Sequence, residues 1–212
     1  MNRYPILSDT IRLLEPEQSI SRERKTVLQP LIDYIQQKVT DIQAINLIFI
    51  CTHNSRRSIF SQVWAQVAAF RYGISDVYCY SGGTEATAVF PKVIETLSEQ
   101  GLNTIRLSEE NNPVYAIQYS DTAFPVIGFS KKYNHLYNPI AGFGAIMTCS
   151  EADGGCPFIA GAEKRIAITY EDPKLSDSTP EQSTVYASRS LQIATEMFYV
   201  FSMIQKPLCK LN

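Results

Sequence analysis

The residues with the clearest chemical potential are Cys51-Thr-His-Asn-Ser-Arg-Arg57-Ser58, which follow directly on the apolar run Ile45-Asn-Leu-Ile-Phe-Ile. The run has strand character and carries a cysteine into a short polar loop, and an amphipathic helix begins at Arg57 and Ser58. This is the layout of a thiolate nucleophile in an oxyanion cradle. The backbone N–H groups of Thr52, His53, Asn54, Ser55, Arg56 and Arg57 converge where a helix starts, and there the dipole also favours negative charge. Arg57 offers a planar fork for two oxyanion oxygens. The same positive surroundings favour a thiolate at Cys51, which can attack the central atom of a tetrahedral anion such as phosphate or arsenate. Asn54 can fix the loop through its amide, and Ser58 is placed to donate to the sulfur. A lone cysteine at a strand end is otherwise a buried structural thiol.

These groups must be held by strands and helices, and the pattern along the chain alternates between the two. Strand Ile45 to Ile50 leads to a helix that presents Ile59, Phe60, Val63, Trp64, Val67 and Phe70 on one face and stops near Gly73. Strand Val77 to Ser81 leads through Gly82-Gly83 to a helix from Pro91 to about Gly101. Further strands are predicted over Gly144 to Cys149 and Arg165 to Tyr170. A last helix is expected to open at the capping box Thr179-Pro180-Glu181-Gln182 and to end before Pro207. The implied fold is α/β: a doubly wound, mainly parallel four-stranded sheet flanked by helices, with ligands at the carboxyl ends of its strands.

Two stretches stand apart from that pattern. Residues 1–44 form a helical extension with Val27, Leu28, Leu31, Ile32, Ile35 and Val39 at helical spacing, which Pro30 is expected to kink or split. The remaining domain runs over 45–206. Within it, residues 113–130 are two β-rich runs around a turn, hence an inserted hairpin whose Tyr115, Tyr119, Phe124 and Phe129 either cover the site or pack on the sheet edge; packing is the usual fate of such aromatics.

With 212 residues, 45% of them hydrophobic, the chain can bury a substantial core. A net charge of −2 gives no reason to expect a nucleic-acid partner. No apolar stretch suffices to cross a bilayer, and the first residues lack the apolar core of a secretion signal, so a cytoplasmic location is expected. Five cysteines, an odd number, do not read as a disulfide framework. Two of them, Cys149 and Cys156, flank the Gly-rich stretch Ser-Glu-Ala-Asp-Gly-Gly, with Cys149 at the end of a predicted strand on the same sheet edge as Cys51. They read either as a redox pair joined by a flexible link or as inert thiols. A zinc site would need His53 or His135 from far along the chain, and none is expected.

The segment from Cys51 to Ser58 resembles the anion loop of the low-molecular-weight protein tyrosine phosphatases and of the thioredoxin-coupled arsenate reductases that share their fold, and the likeness extends from about Ile45 to about Ile204. Within the loop, His53 stands where the family usually has glycine and Arg56 where it usually has cysteine. A histidine tolerates positive φ better than most side chains, and Arg56 either adds a second cation at the mouth or points to solvent. The resemblance implies that Asp172, in Glu171-Asp172-Pro173, is the general acid, with Glu171 as fallback and a plain turn carboxylate as the alternative. It also implies that Cys149 attacks a Cys51 adduct and that Cys156 resolves the resulting disulfide. Lys174 replaces the aromatic residue usual in the phosphatases, which argues for a small free oxyanion, and Gln62 stands where the reductases commonly carry an acid. Arsenate reduction to arsenite is therefore the expected activity. No tightly bound cofactor is expected, only an external, thioredoxin-like thiol reductant. Phosphomonoester hydrolysis through a phospho-Cys51 intermediate is the alternative, and a non-catalytic oxyanion-binding module a third.

Overall fold

The computed structural model describes residues 4–14, 18–155 and 158–206, so Cys156, Pro157 and Pro207 lie outside the described residues. Four strands form one sheet in the order β2-β1-β6-β7: β1 (Ile45–Cys51), β2 (Val77–Gly83), β6 (Phe143–Met147) and β7 (Ala162–Ala167). Every pairing is parallel, with Ile45 opposite Val77, Asn46 opposite Phe143 and Gly144 opposite Lys164. β1 lies inside the sheet and is buried on both faces, which is why it reads as a nearly unbroken apolar run rather than an alternation. The order reverses beside β1, so the C-terminal ends of β1 and β6 flank the switch point where ligands of such sheets bind.

One face of the sheet carries the main core. Helices α2 (Arg22–Thr40), α3 (Arg57–Tyr72), α4 (Pro91–Glu99) and α6 (Gln182–Ser202) bury Leu28, Leu31, Trp64, Leu97 and Met197 there, together with Leu47, Phe49 and Ile146 of the strands. The opposite face holds a smaller cluster of Ile48, Ile50, Ala145 and Met147, closed by Ala152 of the short helix α5 (Ser150–Gly155), by Ile159 and by Tyr133. Cys51 and Cys149 belong to this second cluster.

Several expectations meet corrections. α2 runs unbroken through Pro30, so the chain before the sheet is not split at that residue; a shorter α1 (Pro5–Leu13) precedes it. α1 seats against the end of α4, where Gly101 has φ +94° and a Cβ would lie 2.1 Å from the Leu7 nitrogen. The predicted capping box does not form. Glu181 stands at the N-cap without a side-chain cap, and the Thr179 hydroxyl donates instead to the Ser176 carbonyl at 2.9 Å, because a 3₁₀ turn at Pro173–Ser176 has already claimed that stretch. Phe70, expected on the apolar face of α3, is about half exposed, at 47%.

Residues 113–130 do form a hairpin, β4 (Tyr115–Gln118) against β5 (Val126–Gly128), but a third strand joins it. β3 (Asn103–Arg106) pairs antiparallel with β4, giving a separate sheet β3-β4-β5. The hairpin packs on α3, where Phe70 meets the Tyr119 ring edge-to-face at 5.5 Å, and the Gln62 amide donates both to Cys79 of β2 and to Ile127 of β5. Phe124 at its tip is left exposed.

Candidate active site

Residues 52–56 form a bend between β1 and α3, held from outside by two other segments. Thr84 and Glu85 donate their N–H groups to the carbonyls of Cys51 and Thr52 at 3.1 and 2.8 Å, and Phe90 donates to Ser55 at 3.1 Å. Ser130 donates its hydroxyl to the His53 carbonyl at 2.8 Å, and the Lys131 N–H donates to Asn54 Oδ1 at 3.0 Å. The loop carbonyls are thereby turned outward and paired. Among the described residues, none of the N–H groups of residues 52–56 donates to a backbone carbonyl, and α3 starts at Arg56 without a side-chain cap. An uncapped helix start with free donors is suited to an anion.

Cys51 is 4% exposed, and its Sγ lies 3.1 Å from Ser58 Oγ. Asn54 Nδ2 donates to the same Ser58 oxygen at 2.8 Å. Asn54 occupies one lone pair of Ser58, whose hydroxyl lies within hydrogen-bond reach of the sulfur and can donate to a thiolate there. Both residues thus lie beside Cys51, where the sequence pattern placed them. The strained backbone, however, is at Asn54, with φ +49°, and not at His53. Asparagine visits this region readily because its short amide bonds locally, here to Ser58 and Lys131. His53 instead stands at the rim, half exposed, with Nε2 3.6 Å from Glu85 Oε2.

The two arginines have separate tasks. Arg57 is buried, donating from Nη1 to the Tyr170 carbonyl at 3.0 Å and from Nη2 to Asp172 Oδ2 at 2.5 Å, and Glu151 Oε2 lies 3.8 Å from Nη1. Arg56 is neither a cation at the mouth nor directed to solvent. Its Nε donates to Tyr186 Oη and its Nη2 to Asp177 Oδ2, each at 2.6 Å, and its guanidinium lies 4.1 Å from the Phe90 ring centroid. Tyr186 donates to the other Asp177 oxygen at 2.6 Å. Although partial burial works the other way, the hydrogen bonds of Tyr186, Gln182 and Arg56 hold the Asp177 carboxyl below its usual range. Arg56 thus clasps the anion loop to α6 and to the turn after Asp172.

Cys149 sits two residues beyond β6, fully buried, with the Thr52 hydroxyl 3.5 Å from Sγ and the Ala152 N–H donating to Sγ at 3.4 Å. Burial pushes its thiol up, while the bonds from Thr52 and Ala152 and the charge of Arg57 pull it back. Asp172 faces Arg57 and uses its second oxygen to accept from the Lys174 N–H at 3.0 Å. Glu171 turns away to Arg189 at 2.9 Å and does not face the loop. Among the described residues, no group of three or more His, Cys, Asp or Glu side chains is placed to hold a metal ion.

The strap Ser130-Lys131-Lys132-Tyr133 and the carbonyl of Tyr170 are parts of this site that the sequence pattern did not single out. The strap lies along Gly83, which donates to Lys131 O at 2.8 Å and accepts from Tyr133 N at 2.9 Å. The available signal was Gly82-Gly83 at the end of a strand, since paired glycines there mark close backbone approach.

Comparison with known proteins agrees with this geometry. Residues 46–119 match the model of the low molecular weight phosphotyrosine protein phosphatase family. An arsenate reductase of Staphylococcus epidermidis is 28% identical over 132 residues, covering 60% of this chain and 77% of that protein. An arsenate reductase of Bacillus licheniformis is 27% identical over 143 residues, covering 68% and 84%. Among solved structures, a low-molecular-weight phosphotyrosine phosphatase of Vibrio cholerae O395 superposes with a TM-score of 0.52 at 12% identity, over 75% of this chain and 95% of that one, a likeness of fold. The chain is thus similar in sequence to the arsenate reductases and, over residues 46–119, to the low-molecular-weight phosphotyrosine phosphatases.

Proposed function

We propose that the protein reduces arsenate to arsenite, with Cys51 as nucleophile, Arg57 and the N–H groups of residues 52–57 as the oxyanion cradle, and Asp172 as general acid. The observation that carries this reading is the second thiol: Cys149 is buried at the end of the neighbouring strand and bonded to Thr52, the residue next to Cys51. Hydrolysis through Cys51 needs no second thiol there, whereas reduction does. Arsenate entering the loop exchanges the Arg57–Asp172 bond for bonds from Arg57 to its oxygens. The Cys51 thiolate then forms a bond to arsenic, and the departing oxygen takes a proton from Asp172 and leaves as water. The Cys149 thiolate attacks Cys51 Sγ; the sulfur–arsenic bond breaks, its electron pair stays with arsenic, and arsenite leaves behind a Cys51–Cys149 disulfide. Cys156 attacks Cys149, releasing the Cys51 thiolate and leaving a Cys149–Cys156 disulfide. A dithiol reductant of thioredoxin type returns the pair to thiols.

Two variants test the relay. Cys149→Ser should form the Cys51 adduct but release no arsenite. Cys156→Ser should release one equivalent and then stop, since the first attack needs only Cys149. A second reading, phosphomonoester hydrolysis, is favoured by the family-model match and by the self-sufficiency of Cys51, Arg57 and Asp172 for that reaction. Steady hydrolysis that is indifferent to both substitutions, with no arsenite formed, would put it first.

A further inference from the structure

Arg24 lies on α2, before the sheet that carries the site, yet it reaches the ring of Tyr170, the residue whose carbonyl accepts from Arg57. Its guanidinium makes a two-pronged pair with Glu196 of α6, Nε to Oε1 and Nη2 to Oε2, both at 2.8 Å, and Glu196 is 3% exposed. The guanidinium carbon also lies 4.9 Å from the centroid of the Tyr170 ring. Tyr170 is buried, and its N–H donates to the Thr148 carbonyl at 3.1 Å. Its carbonyl receives Arg57 Nη1, and two residues later Asp172 receives Nη2. Both hydrogen bonds made by the Arg57 fork therefore end on the one short stretch 170–172, and the ring of Tyr170 is what locates that stretch in the core.

We propose that Arg24 is a positioning residue for Arg57, acting through the ring and backbone of Tyr170, so that α2 is a working part of the oxyanion site. This deepens the reading of Arg57 as the oxyanion fork and rests on it. A buried ion pair adds little net stability over well-packed apolar side chains, so stability alone gives weak reason for an arginine and a glutamate at this seam. Fixing the ring of a residue whose carbonyl orients a catalytic guanidinium gives a stronger one. A bidentate grip depends on the fork plane, and a small rotation misaligns both oxygens at once. Arg24 fits that task because its own pairing with Glu196 fixes the plane of the group lying over the ring.

The test measures inorganic phosphate binding by calorimetry and thermal unfolding on the full chain. Arg24→Met alone would leave Glu196 buried and unpaired, so the informative variant is the double change R24M/E196M, which removes both charges. We expect its unfolding temperature to stay close to wild type while phosphate affinity falls about tenfold. In an R57K background the same double change should cause no further loss. Arg24→Lys, which keeps a charge for Glu196 but loses the planar face over Tyr170, should also weaken phosphate binding and covers the case of a double variant that does not fold. Phosphate affinity within twofold of wild type in these variants, or a full additional loss on top of R57K, overturns the proposal. If the wild type binds phosphate but makes no arsenite, the proposed reaction fails while this inference stands on the phosphate data.

Discussion

At the scale of single residues, the site was legible where chemistry dictates residue type and illegible where only a contact distinguishes two like residues. Cys51, Asn54, Arg57, Ser58 and Asp172 come together because an oxyanion cradle needs a thiolate, a fork, a proton donor and a rigid loop, and each requirement names a side chain. Arg56 and Arg57 are adjacent and identical in type. Only the partners Tyr186 and Asp177, over a hundred positions downstream, separate the clasp from the proposed oxyanion fork. The two should therefore fail differently. Arg57→Lys keeps the charge and loses the fork, so turnover should fall by about 10²–10³ with unfolding little changed. Arg56→Lys should lose the paired bonds to Tyr186 and Asp177 and lower stability by about 1–3 kcal/mol. Steady-state rates and denaturant unfolding on both variants check this, and a pure stability loss at Arg57 would mean that the assignments are exchanged. Asp172 and Glu171 are distinguished in the same way. Asp172→Asn should slow turnover by about 10²–10⁴, and Glu171→Gln, whose carboxylate pairs with Arg189, should be nearly silent.

At the scale of elements, periodicity identified β1, β2, β6 and the long helices, because each buries an apolar face, whereas the largely exposed β7 runs from Ala162 to Ala167 rather than from Arg165 to Tyr170. Periodicity failed for pieces that are short or whose partners are remote. β3 spans four residues that are mostly exposed, so its sequence carries no buried alternation and its pairing with β4 is invisible locally. The strap after the hairpin has no periodicity either, yet it is what holds the anion loop from outside. The strap packs against Gly82, where a Cβ would lie 2.4 Å from Tyr133 Cα. The end of β2 packs against the anion loop at Gly83: a Cβ there would lie 2.2 Å from the Glu85 carbonyl oxygen, 2.7 Å from that of Thr52 and 2.9 Å from the Asn54 nitrogen. All three are backbone atoms, so the only relief is to move the loop. Gly83→Ala should destabilise the fold by about 1–3 kcal/mol and weaken phosphate binding far more than that stability loss explains, by up to about a hundredfold. Thermal unfolding paired with a phosphate titration separates the two effects; a stability loss with unchanged affinity would show that the end of β2 can shift without moving the loop.

At the scale of the whole molecule, the two faces of the sheet divide the work, with long helices and the large core on one side and the short α5, loops and both site thiols on the other. Where the anion loop meets its strap, the structure also holds a charge-bearing group that a stable core would avoid. Lys131 is 2% exposed, with Nζ 3.4 Å from the Phe129 carbonyl and, among the described residues, no carboxylate bonded to it. Loss of hydration lowers its amine from 10.5 to about 7. The rings of Phe129 and Tyr137, 4.3 and 5.3 Å away, favour the ammonium and so narrow the effect from its lower side. The sign follows from proton counting. Between about 7 and 10.5 the folded chain holds a neutral amine while the unfolded chain binds a proton, so stability rises with pH across that window. Below it both states are protonated and the penalty is at its full value. The contribution to the slope is at most about 1.4 kcal/mol per pH unit. Lys131→Met keeps the packed stem and removes the titration, so the variant should be more stable than wild type at neutral pH, and the gap should close as pH approaches 10.5. Contributions from the rest of the chain are common to both proteins and cancel in the difference. Urea unfolding at intervals from pH 6 to about 10 reads that difference directly. Curves that stay parallel throughout would mean that Lys131 keeps its proton in the folded state, held by the two rings.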